Sequence, residues 1–250
     1  MDEPGDAPPM ETAQASLLAA VRSLWFSPSV DHRVRDMFYP HSLRVMVLAR
    51  RLARRCGIRV EPVEVAALAH DLGMTGIYSG ILLKPDTLDA LERGFIRAHV
   101  HSGAWVCREM LDEPVAAEIV LRHHERWDGE GYPGGLPAEE IPSGARLLSV
   151  PDVFDTLAFE QRPYQDRIFT AEKALGELQG CAGQQFDPEM VDEFALLTAE
   201  VPELRDPDRL EAEGEERMEE ALETADGEAA RPGPDPGSPA GPRSAGGGTA

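Results

Sequence analysis

At 250 residues with a formal net charge of −21, from 45 acidic against 24 basic residues, the chain can bury one sizeable core. It is too acidic to neutralise the phosphates of duplex DNA or RNA. Cys56, Cys107 and Cys181 are odd in number and form no CxxC pair, which fits free thiols in a reducing compartment. No apolar run approaches the ~18 residues of a membrane span and no leader-like segment is visible, so the chain reads as cytoplasmic and away from the membrane.

The N-terminal stretch MDEPGDAPPM buries too little apolar surface to offset chain entropy. From Glu200 onward there are 14 acidic against 5 basic residues, with Glu215, Glu216, Glu219 and Glu220 in one run, followed by a Pro/Gly/Ser-rich end. Residues 1–11 and 201–250 therefore read as disordered tails around one domain at 12–200.

Within that domain the first helix spans Glu11 to Phe26, with Leu17, Leu18, Val21, Leu24 and Trp25 on one stripe and Ser27-Pro28 as its end. A second runs from about His41 to Cys56. It carries Val45, Leu48 and Leu52 on one side and Arg44, Arg50, Arg51, Arg54 and Arg55 on a face read as solvated, and Gly57 stops it. Pro62 opens a third helix that closes at Gly73, just after His70 and Asp71. Asp86 or Thr87 caps a short helix, and another runs from about Arg93 to Leu111 through His99. Pro114 starts the helix that ends at His123 and His124. After a Gly/Pro-rich loop, Ser143 to Ala158 is apolar on one face, with Pro151 predicting a kink directly before Asp152. Thr170 caps the next helix and Asp187-Pro188 opens the last. No segment alternates strongly enough for a strand, so the fold class is all-α.

Five of the seven histidines, His41, His70, His99, His123 and His124, lie at helix positions facing a predicted core, as do Asp71 and Asp152. Taken singly, each is better explained by a hydrogen-bonded core residue than by a ligand. Two adjacent ionisable groups at a helix end suit a core poorly and a metal-binding corner well; His70-Asp71 and His123-His124 both have this form. Imidazoles favour Fe, Mn, Zn or Ni over Mg or Ca, and carboxylates can bridge two cations. Two such cations about 3.5 to 4 Å apart can activate water and clamp a phosphodiester. His32 and His101 have no matching role and read as surface residues.

In order along the chain stand ALAHDLGMTGI, ILLKPDTL, HVHSG, HHERWDGEGYPGGL, IPSGARLLSVPDVFDTL, QRPY and QQFDP. This series resembles the HD-GYP family of HD-superfamily phosphohydrolases, bacterial enzymes that hydrolyse cyclic di-GMP, over about His41 to Phe194. The resemblance implies a compact HD-superfamily helical bundle holding two divalent transition metals, Fe or Mn foremost, Zn or Ni as alternatives. His41, His70, Asp71 and Asp152 would hold one and His99, His123 and His124 the other. Asp71 would bridge them and, with His70, serve catalysis. Tyr132, on a loop that also carries Asp128 and Gly131, would meet the substrate, and Arg162 would face a phosphate.

The implied reaction opens cyclic di-GMP to linear pGpG, and on to GMP, through a metal-bridging hydroxide. The sequence departs from the family pattern at four places. Met74 stands where family members carry a Lys, Gln165 where a basic residue often follows RPY, and Met37 where a Glu goes with a third metal. Pro151 replaces a small residue before Asp152. Loss of two cations predicts weaker stabilisation of transition-state charge, by ~1 to 3 kcal/mol each where the contact is desolvated. Two alternatives stay open: a catalytically weakened cyclic di-GMP receptor or scaffold, and an HD phosphohydrolase for another cyclic dinucleotide or nucleotide. Regulation would come through a homodimer, a separate signalling partner or expression.

Overall fold

The computed structural model describes residues 11–159 and 168–229. Among the described residues eleven α-helices follow in order: α1 Thr12–Trp25, α2 His32–Arg55, α3 Val60–Ala69, α4 Ser79–Leu82, α5 Ala90–Arg97, α6 His99–Trp105, α7 Pro114–Arg122, α8 Ser143–Ala158, α9 Ala171–Gly180, α10 Pro188–Glu200 and α11 Pro207–Ala229. Among the described residues there is no strand beyond the isolated bridges Asp128–Pro137 and Ala182–Phe186, so the all-α expectation holds. None of these helices is long and apolar enough to cross a membrane. Cys56, Cys107 and Cys181 are all free thiols.

The core is built around α2, which packs on α3, α8 and α11. Val45, Leu48 and Leu52 are fully buried, together with Leu68 of α3 and Leu147, Leu148 and Phe154 of α8. Trp25, at the end of α1, is buried, and its indole N–H donates to the Leu68 carbonyl at 3.0 Å. A buried aromatic with a polar edge thus fixes α1 against α3.

Several boundaries differ from those read in the sequence. α2 starts nine residues before His41, because the Asp31 carboxylate caps it through the Arg33 amide and the helix runs on through Pro40. The cap of α5 is Asp89, not Asp86 or Thr87; Asp89 and Glu92 form a reciprocal capping box. The single helix expected over Arg93 to Leu111 divides at Ala98, and its end widens into a π-turn over Val106–Met110. α8, by contrast, runs over Ser143–Ala158 as expected, with Pro151 inside it.

The largest difference is α11. The acidic stretch expected to be disordered forms a helix over 207–229 that packs on α1 and α2, with Leu210, Met218 and Ala221 buried. Its apolar stripe is sparse, and Gly214 sits where a Cβ would come within 2.9 Å of Leu43 Cβ, so the close approach to α2 depends on a residue that adds nothing to hydrophobicity. Residues 1–10 and 230–250, the remainder of the expected tails, lie outside the described residues.

α11 and α10 also correct part of the reading of the α2 arginine face as solvated, although Arg54 is exposed as expected. Arg44 is buried, Arg51 donates to Glu213 at 2.7 Å, and Arg55 pairs with Glu193 and Glu200 of α10. Arg217 of α11 reaches inward to the fully buried Glu64 of α3, with Nε–Oε1 at 2.8 Å and Nη2–Oε2 at 3.2 Å, and Gln14 of α1 donates to the same carboxylate. Acidic α11 is thus the counter-layer of basic α2, held at its centre by a buried ion pair.

Removing one partner of a buried pair strands the other charge. Arg217→Ala is expected to lower stability by about 3 kcal/mol in urea unfolding. A change within ~0.5 kcal/mol, the range of ordinary surface substitutions, would show that the pair does not hold α11 in place.

Candidate metal centre

Each expected ligand stands at a helix end or on the buried face of a long helix. His70 and Asp71 follow the last residue of α3, where the chain passes into a 3-10 turn over Leu72–Gly76. His123 and His124 follow the end of α7 in the same manner, and His99 opens α6 just past the break at Ala98. His41 and Asp152 come from the interiors of α2 and α8, which pack together. His41, His70, Asp71, His99, His123 and Asp152 are buried, and His124 is half-buried.

One local device sets the ring orientation of three histidines. The Nδ1–H of His70, His99 and His123 donates to the carbonyl three residues earlier, Ala67, Ile96 and Val120, at 2.7 Å in each case. Each Nε2 is therefore left as a lone-pair donor turned towards the centre. His41 obeys the same rule with a carboxylate: its Nδ1 lies 2.7 Å from Asp155 Oδ2, while its Nε2 lies 3.2 Å from Asp152 Oδ1.

Two groups of ligand atoms result, His41–His70–Asp71 and His99–His123–His124, each with its atoms within 4.8 Å of one another. Asp71 lies between them. Its Oδ2 is 3.5 Å from His70 Nε2 and 3.8 Å from His41 Nε2, and its Oδ1 is 3.5 Å from His99 Nε2. Neighbouring ligands on an ion with ~2.1 Å bonds are about 3 Å apart, so these separations are close to those of a filled site.

The electrostatics agree. Burial lowers the affinity of His99 and His123 for a proton, and it brings His124 down to about 4, so all three are neutral, ligand-competent imidazoles near neutral pH. For Asp152, burial acts to raise the pKa but is outweighed by the His41 hydrogen bond and the surrounding imidazoles, which keep it an anion. His99 Nε2 and His123 Nε2 are buried without any hydrogen-bond partner. Leaving such atoms unsatisfied costs about 1–3 kcal/mol each, a cost that a cation bound between them would remove. The donor set fits two divalent cations sharing the Asp71 carboxylate.

The loop after His124 closes one side. Tyr132 stacks on the His124 ring, with centroids 4.9 Å apart, and its amide donates to the His124 carbonyl. Buried Glu125 anchors the loop by accepting from the Gly134 and Leu136 amides at 2.7 and 3.0 Å. The structure commits Asp128 to bracing the loop: its carboxylate takes both arms of Arg126 and the Glu130 amide. Gly131 is required by the close approach of the backbone at Arg126, which a Cβ would overlap. Arg162, like Gln165, lies outside the described residues. Met74 is buried in the apolar core, and Met37 is half-buried against it. His32 and His101 are exposed, as expected.

Sequence reasoning overlooked three supporting residues. Asp155 binds His41 and takes two hydrogen bonds from Arg44, both at 2.8 Å; it stands three residues after Asp152, on the same helix face, and that spacing was the available signal. Glu125 was visible in the HHE run without an assigned role. Arg44 was hidden among the other arginines of α2.

The HD domain family matches residues 32–190, more than half of the chain. This chain belongs to the HD domain family. It is 36% identical over 177 residues to a cyclic di-GMP phosphodiesterase of Thermotoga maritima, covering 68% of this chain and 47% of that protein. It is 40% identical over 159 residues to the cyclic di-GMP phosphodiesterase response regulator RpfG of Xanthomonas campestris, covering 62% and 41%. A 3'3'-cGAMP-specific phosphodiesterase 2 of Vibrio cholerae is 35% identical over 177 residues, covering 65% and 33%. The chain thus spans a third to about half of the length of these curated relatives, and they bear out the resemblance read from the motifs. Among solved structures, a cyclic GMP-AMP-specific phosphodiesterase of V. cholerae matches with TM-score 0.55 at 16% identity, over 87% of this chain and 61% of the other. An HDG"Y"P protein of Bdellovibrio bacteriovorus gives the same score and identity over 80% and 75%. At such identity these two speak to the fold alone, and they agree with the helical bundle described above.

Asp155 touches His41 and not the centre, so its neutral isostere tests orientation. Asp155→Asn is expected to lower metal affinity about 10- to 100-fold in competition with a chelator. Unchanged affinity would mean that His41 is held by its helix alone.

Proposed function

We propose that this chain is a metal-dependent phosphodiesterase that opens cyclic di-GMP to the linear dinucleotide pGpG. The observation that carries the reading is the Asp71 carboxylate, whose two oxygens face two separate groups of imidazole nitrogens. Two divalent cations held there would polarise the phosphodiester and make water acidic enough to attack it near neutral pH. Fe or Mn suits this mixed nitrogen and carboxylate donor set, with Zn or Ni as the alternatives.

The chain's own residues have defined tasks in this reading. His41, His70, Asp71 and Asp152 form one half of the centre and His99, His123 and His124 the other; Asp71, with His70 beside it, orients the attacking water. The protein positions these groups before substrate arrives: three main-chain carbonyls and Asp155 fix the ring orientations, and burial keeps His99, His123 and His124 neutral. Tyr132 offers its hydroxyl to a phosphate oxygen or its ring edge to a nucleobase. Its hydroxyl remains protonated, because burial and the Asp71 and Asp152 carboxylates raise its pKa, so it acts as a hydrogen-bond donor.

A second reading has its own observation. Met74, where the HD-GYP pattern carries a cation, is buried among apolar side chains. A centre lacking that cation binds a cyclic dinucleotide with less stabilisation of the charge that develops in the transition state, which describes a slow enzyme or a receptor. The cGAMP-specific relative favours testing other cyclic dinucleotides beside cyclic di-GMP. We place the protein in the cytoplasm, where three free thiols stay reduced.

Metal analysis coupled to product chromatography tests the proposal. The wild type is expected to hold two ions and release linear dinucleotide, and Asp71→Ala is expected to lose both metal and product. Two bound ions with cyclic di-GMP left intact would remove the assigned activity. Tight calorimetric binding of the intact ligand would then support the receptor reading.

A further inference from the structure

Basic side chains around the metal centre are mostly engaged. Arg44 is held by Asp155, Arg122 by Glu118 and Glu125, Arg126 by Asp128, and Lys84 by Glu92. Arg97 differs from all of these. It is the last residue of α5, two before His99, it is exposed, and among the described residues no carboxylate pairs with it. Its guanidinium carbon lies 5.0 Å from the centroid of the Tyr132 ring, and that ring is itself stacked on His124. A free planar cation therefore stands at the rim of the centre, one aromatic ring away from a ligand position.

Its placement is supported from both sides. The segment that carries it also supplies the Ile96 carbonyl that fixes His99 Nδ1, so the position of Arg97 is tied to the geometry of the centre. Upstream, α5 has no fully buried residue, yet its start is secured by the Asp89–Glu92 capping box and by Lys84 on Glu92.

A cyclic dinucleotide contains two phosphodiesters, and only one reacts at a time. The metal centre serves the reacting group, and Asp71 and Asp152 make the rest of its wall anionic, while buried Met74 offers no charge. The second phosphodiester needs a cation outside the centre, and a guanidinium fork matches its two free oxygens. We infer that Arg97 is a specificity-determining residue that grips the non-reacting phosphodiester of the cyclic dinucleotide. The inference rests on the function proposed above and adds to it the source of selectivity for a two-phosphate ring.

The test compares wild type, Arg97→Ala and Arg97→Lys, each as the full chain loaded with Mn, on cyclic di-GMP and on bis(p-nitrophenyl) phosphate, a diester with one phosphate. Arg97→Ala is expected to raise KM for cyclic di-GMP about tenfold or more with a much smaller change in kcat. It should also lower the ratio of kcat/KM on cyclic di-GMP to that on the small diester by a similar factor. Arg97→Lys should recover part of the loss, since it restores charge without the fork. If the wild type binds cyclic di-GMP without cleaving it, the same shift is read in Kd by equilibrium dialysis. An unchanged KM, equal losses on both substrates, or a fall in bound metal would each overturn the role of Arg97 while leaving the phosphodiesterase reading intact. A wild type that cleaves the small diester yet neither binds nor cleaves cyclic di-GMP would instead defeat that reading, and Arg97's role with it.

Discussion

A carboxylate shared between two sets of imidazoles inside a low-dielectric core is the constraint on which this structure depends. Asp71 has one oxygen 3.5 Å from His70 Nε2 and the other 3.5 Å from His99 Nε2, and its side chain is almost wholly buried. An arrangement of this kind costs desolvation energy when nothing binds between the groups. The helices around it must therefore hold the groups in place rather than let them rearrange. They do so with backbone carbonyls on three rings and with the Arg44–Asp155 pair behind His41.

Charge is arranged in layers outward from that point. The His41 ring leads to Asp155, Asp155 to Arg44, and Arg44 Nη1 lies 3.4 Å from Glu211 of α11. The acidic helix and the basic face of α2 thus belong to the same electrostatic assembly as the centre. Buried Glu64, paired with Arg217 and lying 3.4 Å from Arg50 Nε, is the other place where α11 reaches the interior. On the opposite side of the centre, Glu125 draws the loop amides inward and so holds Tyr132 on His124.

Much of this was legible from the chain. Helix-period apolar stripes, Pro114, Thr170 and Asp187-Pro188 gave most of the helices, because each of these signals acts within a few residues. The ligands were legible as residue types and, through the ordered motifs, as a set. Their spacing alone said little, since His41 and Asp152 are 111 positions apart in number and meet only because α2 packs on α8. α11 was missed because its partner surface is charged: a helix that covers arginines needs glutamates, and glutamates in a row resemble a solvated tail. The break at Ala98 was missed because no Gly or Pro marks it, and Arg97 gained meaning only when Tyr132 was seen beneath it.

The central claim is that Asp71 joins two cation positions into one centre. The most direct measurement is electron paramagnetic resonance of the protein loaded with two equivalents of Mn(II). An exchange-coupled pair spectrum that collapses to isolated ions in Asp71→Ala is the result expected from this geometry. Two uncoupled mononuclear signals, or a single bound ion, in the wild type would contradict it.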